Sequence, residues 1–343
     1  MRIVLDAMGG DHAPAVVVDG GVQAAREYGV EVILVGRREA VEPELLARYD
    51  TTGLRVPLVH ASEVIEMDEH PALAAKTKKD SSMAVGMQMV KRGEADAFVT
   101  MGNSGGALAV ALLHLGRLRG IKRPALSSVF PTSKGPAFLL DLGANTDCKP
   151  EYLLQFAIMG SVYAERVLGI QNPRVGIVSN GEEEGKGNFL VRDTVPLLKA
   201  SPLNFIGNVE GKDIPAGLAD VVVTDGFTGN VVIKTAEGVA ELILNTLAQE
   251  IRARPLATFG ALLAKPAFRA AKRLLDYTEY GGGALLGVNG VVIVGHGRSN
   301  AKAVKSAVRV AKAAVEGRIV EAIQVGIAAA GGAVTDAEDE APV

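Results

Sequence analysis

The chain of 343 residues is 48% hydrophobic and 22% charged, with 36 Lys and Arg against 39 Asp and Glu for a net charge of −3. That balance belongs to a globular protein and excludes extended disorder or a chain-wide polyanion binder, so no nucleic-acid partner is expected. It has no Trp and one Cys, Cys148, which excludes stacking platforms, an internal disulfide and a thiolate zinc site, and fits a reducing cytoplasm.

Short β-rich runs alternate with helical patterns. IVLDAM (3–8) predicts a strand and residues 14–28 a helix. VEVILVG (30–36) predicts a strand, residues 38–49 a helix, and RVPLVHA (55–61) a third strand. Residues 81–91 have a helical pattern, ADAFVTMG (95–102) a strand pattern, and 104–115 an Ala/Leu-rich helical pattern. ALSSVFP (125–131) and PAFLLDLG (136–143) are apolar runs with no helix between them. Pro150 stands where a helix begins, and 151–168 keep the apolar period. RVGIVSNG (174–181) reads as a strand, 188–199 as a helix, ADVVVTDG (219–226) as a strand, and a long helix follows from about Asn230. VVIVGHG (291–297) is the last strand before a helix over 300–315.

This alternation predicts an α/β fold with a mostly parallel sheet between helical layers. The unbroken Val/Ile/Leu runs fit strands covered on both faces. Residues 1–334 read as one two-lobed catalytic domain, and the acidic segment 335–343 as a disordered tail. No apolar run reaches the ~18 residues of a membrane span. MRIVLDAMGG meets an acid at Asp6, which leaves no room for the apolar core of a signal peptide.

The 40 glycines cluster where strands end, and ligands of parallel α/β sheets bind beyond those ends. TMGNSGGAL (100–108) places Asn103, Ser104 and Gly105 at a helix start, where backbone N–H groups attract an anion. TDGFTGNVV (224–232) offers Asp225 and Asn230 to the same cleft. VGHGRSNAK (294–302) sets His296 between glycines, with Arg298, Ser299 and Asn300 behind it. SNGEEEGKGNF (179–189) contains Asn180 and sets Lys186 between glycines. It is not a P-loop, because three residues separate Gly181 from Gly185 and Gly187 stands where Ser or Thr is required. No G-x-G-x-x-G follows a strand, which speaks against a dinucleotide. Each loop taken singly is also what a plain turn looks like. Together they describe an anion cleft without aromatic walls or a metal cage.

MRIVLDAMGGDHAP, MGNSGGAL, LLDLGANTDCKPEYLLQFA, SNGEEEGKGN, TDGFTGNVVIKTAEG and VGHGRSN, in that order between residue 1 and about 320, resemble the motifs of bacterial phosphate acyltransferases. The resemblance implies conversion of acyl-acyl carrier protein and inorganic phosphate into acyl phosphate and free carrier protein, in phospholipid synthesis. It implies a three-layer α/β/α sandwich like phosphotransacetylase and isocitrate dehydrogenase, with a protruding helical hairpin, in a homodimer. It also implies a downstream partner, the membrane glycerol-3-phosphate acyltransferase. No cofactor is expected, since phosphopantetheine arrives on the carrier protein. A phosphotransacetylase-like enzyme using acyl-CoA is the alternative.

Acyl transfer from a thioester to phosphate needs an anion site, donors for the carbonyl oxyanion and a proton for the leaving thiolate. Phosphate is itself the nucleophile, so direct attack is expected. On this scheme Lys186 neutralises phosphate or the oxyanion, and Asn230 donates to the carbonyl or phosphate. Asn103, Ser104 and Gly105 bind phosphate, with Asn180 and Arg298 as further contacts. His296 protonates the thiolate, and Asp225 and Asp6 orient these donors. Asp11 or His12 is as well placed to cap the first helix as to touch substrate. Cys148, beside Lys149, is expected to be inert. No histidines have metal-ligand spacing, and no metal is expected.

The charge is segregated. Residues 251–275 hold Arg252, Arg254, Lys265, Arg269, Lys272 and Arg273 and no acid, a local +6 within a total of −3. Pro255, Gly260 and Pro266 are expected to break the long helix there, making 230–275 a hairpin. The breaker region carries Leu256, Phe259, Leu262, Leu263 and Phe268. Three roles fit such residues: burial in a dimer interface, entry into an anionic membrane surface, or docking of the acidic carrier protein. The family resemblance points to a membrane-touching dimer tip, and so to a cytoplasmic enzyme held peripherally at the inner face of the cell membrane.

Overall fold

The computed structural model describes residues 1–275 and 277–330. The expected acidic tail, 335–343, lies outside the described residues, and so do the side chains of Lys272 and Arg273.

Strand β1 (Arg2–Asp6) leads to helix α1 (Ala15–Tyr28), and β2 (Glu31–Gly36) to α2 (Arg38–Arg48). β3 (Leu58–His60) precedes α3 (Pro71–Thr77) and α4 (Ser82–Lys91), and β4 (Ala97–Thr100) precedes α5 (Ser104–His114). β5 (Ala125–Thr132) and β6 (Gly135–Leu140) form a hairpin before α6 (Pro150–Arg166). Then come β7 (Val175–Val178), α7 (Phe189–Ala200), β8 (Phe205–Val209), α8 (Asp213–Ala216) and β9 (Val221–Val223). Four helices follow in succession: α9 (Gly226–Arg252), α10 (Pro255–Leu263), α11 (Lys265–Leu275) and α12 (Tyr277–Tyr280). The chain returns through β10 (Gly283–Leu286), β11 (Val291–Val294), α13 (Ala301–Glu316) and α14 (Ile319–Ala329).

One sheet runs in the order β3-β2-β1-β4-β11-β10-β5-β6-β9-β7-β8. β3, β2, β1, β4 and β11 pair in parallel, and so do β6, β9, β7 and β8. Between these sets β11–β10, β10–β5 and β5–β6 are antiparallel. Three reversals in a row mean that the two parallel sets run in opposite senses.

Side chains of a strand alternate between faces, and helices cover both. Ile3 and Leu5 of β1 and Phe138 and Leu140 of β6 share one core with α1, α6, α7, α13 and α14. On the other face Val4, Ile33 and Phe98 pack with α3, α4 and α5, and Leu139 and Val222 with α8. The expected three layers are present.

Several elements differ from the sequence expectation. α9 begins at Gly226, ahead of Asn230. Gly260 lies inside α10 and breaks nothing, while Pro255 opens α10 and Pro266 sits in the first turn of α11. α3, β8, β10 and α14 were not anticipated. The buried residues of α9 are Gly226 and Gly229, Val232 packs against the core, and past Ala240 the helix is mostly exposed; α10 has no buried residue.

Candidate active site

A cleft of about 380 Å³ lies beneath residues 230–240 of α9, at the junction of the two parallel sets. Its floor is β5 from Leu126 to Pro131. Leu142 and Gly143 after β6, Gly282 and Gly283 at β10, and Gly295 and His296 after β11 form its walls. Asn230, Ile233, Lys234 and Glu237 reach it from α9, and Ser104 from α5. The floor and the α9 side carry Leu126, Phe130, Ile233 and Ala240.

The start of α9 is fixed by Asp141. This fully buried carboxylate accepts from the backbone N–H groups of Leu126, Leu142, Ala144 and Asn145 and from Asn145 Nδ2. Burial still pushes its pKa upward, against those bonds. Gly226 N–H donates to the Asn145 carbonyl at 2.7 Å. A Cβ on Gly229 would lie 1.9 Å from the Asp141 carbonyl oxygen, so only glycine lets the helix rest on this loop. Asp225 caps the helix by accepting from Thr228 N and Oγ1, both at 2.8 Å. Asn230 is thereby delivered to the cleft.

Glu237 links the polar groups. Lys234 Nζ lies 3.0 Å from it, His296 Nε2 3.5 Å and Arg298 Nη2 3.5 Å. Burial lowers the His296 pKa most; Glu237 opposes this, and the Lys234 and Arg298 cations add to it. The resting imidazole is therefore neutral near pH 7. Lys234 and Glu237 were missed in the sequence reading. The signal was available: Asn230, Lys234 and Glu237 stand at i, i+4 and i+7, one face of a helix.

Of the residues expected from sequence, Asn230, His296 and Ser104 meet in the cleft, and Arg298 reaches its edge through Glu237. Others make structural contacts. Asn103 Oδ1 accepts from Gly106 N at 3.0 Å, and its Nδ2 donates to the carbonyls of Glu66, Met67 and Glu69, so both ends of the amide are engaged. A Cβ on Gly105 would lie 2.7 Å from Pro71 Cγ; its smallness serves packing against α3. Asp225 is a cap, and Asn180 Oδ1 accepts from Gly187 N, closing the loop after β7.

Asp6 is buried and accepts from Thr100 Oγ1 at 2.7 Å and Met8 N at 3.1 Å; desolvation raises its pKa. It tethers the ends of β1 and β4. Asp11 and His12 do not cap α1, whose N-cap position is Pro14 with no side-chain cap. Lys186 is exposed and does not line the cleft. Its loop follows β7, one strand outward of β9.

The Cys148 thiol is pushed up to about 12 by burial, then by the Asp141 carboxylate, which keeps it protonated and unreactive. Glu182, Glu210 and Asp213 lie close enough to share a cation, but Lys212 Nζ already bridges Glu182 and Glu210.

The hairpin tip is exposed on its apolar residues: Leu256 is 86% and Leu263 71% accessible, and Phe259, Leu262 and Phe268 are exposed too. Along α9, Val239, Leu242, Ile243 and Leu247 form a second exposed apolar stripe.

Residues 1–322 match the fatty acid synthesis protein family. A phosphate acyltransferase of Desulfitobacterium hafniense is 53% identical over 325 residues, covering 94% of this chain and 97% of the relative. One from Alkaliphilus oremlandii is 50% identical over 331 residues, covering 96% and 98%. The chain belongs to the phosphate acyltransferase family. It is accordingly a transferase enzyme of lipid biosynthesis. The fold of this phosphate acyltransferase family member also aligns with EutD phosphotransacetylase from Staphylococcus aureus, with a TM-score of 0.57 and 18% identity over 91% of this chain and 94% of that one. Among the described residues, no helix is long and apolar enough to cross a membrane.

Proposed function

We propose that this chain moves an acyl group from the thioester of acyl carrier protein to inorganic phosphate, releasing acyl phosphate and the free carrier thiol. The observation that carries this reading is a single cleft that brings Asn230, Lys234 and His296 together with the apolar side chains of Leu126, Val129 and Phe130 on its β5 floor. The polar groups suit phosphate and the thioester carbonyl, and the apolar floor suits the start of the chain. A hydrogenphosphate oxygen attacks the carbonyl carbon, the C–S bond breaks, and one proton passes from phosphate to sulfur. His296, neutral at rest, takes that proton and returns it to the departing thiolate. Asn230 donates to the developing oxyanion, and Lys234 balances phosphate charge. Lys186, exposed beyond β7, acts on the approaching anion.

The hairpin extends the proposal. The Val239–Leu247 stripe of α9 pairs with a second copy to make a homodimer. The tip at Leu256, Phe259, Leu262 and Leu263 meets anionic lipid, helped by Arg252, Arg254, Lys265 and Arg269. The enzyme then works at the cytoplasmic membrane surface, where a membrane acyltransferase consumes the acyl phosphate in phospholipid synthesis. The test is acyl-phosphate formation, trapped with hydroxylamine, from acyl-acyl carrier protein and from acyl-CoA, each with and without phosphate. Phosphate-dependent product from the carrier-protein substrate is expected. Faster turnover of acyl-CoA would reassign the donor, and thiol release without phosphate would remove the direct mechanism.

A further inference from the structure

The cleft opens to solvent at the wall formed by the starts of α5 and of the loop after β11. Ser104 lines the cleft and is itself exposed, and the His296 side chain is 39% accessible. Three loops frame this opening. Asn103, the residue before Ser104, holds the loop ahead of α3 through the carbonyls of Glu66, Met67 and Glu69. Met67 of that loop reaches Gly297, next to His296: a Cβ on Gly297 would lie 2.7 Å from Met67 Cε and 3.0 Å from Asp11 Oδ1. Asp11 N donates to the Gly297 carbonyl at 2.8 Å, which fixes the loop after β1 alongside.

The charge on this frame is one-sided. Asp11, Glu66 and Asp68 are exposed, and among the described residues none of the three has an ion-pair partner. The nearby cations are engaged: Lys78 Nζ lies 2.7 Å from Glu69 and 2.6 Å from the Val64 carbonyl, and Arg298 pairs with Glu237. Between the two acids of its loop, Met67 is exposed. A neutral, partly apolar arm can lie across Met67 and Gly297. A polyanion in the same place meets three uncompensated carboxylates.

We propose that Asp11, Glu66 and Asp68 decide which thioester enters: they admit a pantetheine arm and reject one that ends in a nucleotide. The inference rests on the thioester reading above and adds its donor selectivity. Acyl-CoA and a carrier-bound thioester share the arm itself. Coenzyme A continues into a diphosphate and a 3′-phosphate, whereas the carrier arm ends in one phosphodiester, and the protein charge beyond it can be held away from this rim. Selectivity is a difference of affinities, so repulsion of the wrong donor supplies it without any added contact to the right one. Like charges facing each other across an opening slow entry, and salt relieves them.

The test compares acyl-pantetheine with acyl-CoA, both carrying the same acyl chain, on the full chain at one phosphate concentration. The ratio of the two kcat/KM values cancels any effect of the carboxylates on phosphate itself. Asp11→Asn with Glu66→Gln and Asp68→Asn should raise kcat/KM for acyl-CoA by about tenfold and change that for acyl-pantetheine by less than about twofold. In the unaltered protein, going from about 10 to about 100 mM salt shortens the screening length from about 30 to about 10 Å and should narrow the same ratio. That second measurement decides the matter should the triple variant not fold. A ratio that neither the substitutions nor salt moves, or an unaltered protein that prefers acyl-CoA, overturns the selectivity alone. Absence of acyl transfer from acyl-acyl carrier protein as well as from both small donors sinks the thioester reading and the selectivity with it.

Discussion

Burial holds His296 neutral at rest, and Glu237 is the neighbour that pulls its pKa upward. The proton-shuttle role needs that neutral form at the start, so activity is lost as pH falls through the His296 pKa. Removing Glu237 lowers this pKa further, and removing Lys234 raises it. The acid limb of kcat/KM should therefore move to lower pH in Glu237→Gln and to higher pH in Lys234→Met. Phosphate titrates identically against all three proteins, so its contribution cancels in the comparison. Limbs that coincide would remove His296 from the proton path. On the proposed scheme Lys186 acts at a different stage. Lys186→Ala should raise KM for phosphate with kcat nearly unchanged; a fall in kcat of ~100-fold at saturating phosphate would place its ammonium on the reacting atoms.

The helices explain why two different roles share one sequence pattern. A small polar residue beside glycine, just ahead of an apolar helix, is the signature of an anion site and also of an N-cap. Asn103 and Asp225 proved to be caps, each accepting from a backbone N–H three residues on. His296 was legible because neither glycine flank nor imidazole serves a cap. β10 was illegible for another reason: GALL is four residues long behind two further glycines, and its strand form comes from partners distant in sequence, β5 and β11. The hairpin was legible from its prolines and its charge, but its two surfaces ask for different measurements. Leu262→Glu with Leu263→Glu should abolish flotation with anionic vesicles and leave turnover on a soluble thioester intact. Leu242→Glu with Ile243→Glu should instead give monomers in sedimentation velocity. Monomers from the tip pair, with vesicle binding retained, would mean that the tip is the interface.

At the scale of the molecule, the alternation of strands and helices foretold a layered α/β fold but not the reversal at its centre. Local periodicity carries no information about which strands become neighbours. Here β10 and β11, from the last quarter of the chain, separate β4 from β5. A chain stopped after residue 282 would keep nine of the eleven strands yet leave β4 and β5 with bare edges. That fragment should bind a hydrophobic dye and aggregate, where the full chain gives a cooperative melt. A soluble, cooperatively folding fragment would show that the centre is dispensable.

The same central position has a consequence during synthesis. β5 ends at Thr132 and β10 begins at Gly283, so a ribosome adds about 150 residues before the sheet can be joined, roughly 8–30 s at 5–20 residues per second. Throughout that interval the nascent chain carries two open strand edges, a natural client for a chaperone. His296 emerges only after β11, so no partly made chain has an assembled cleft. On the proposed reaction, no acyl phosphate can be released until β11 and the His296 loop behind it have left the exit tunnel.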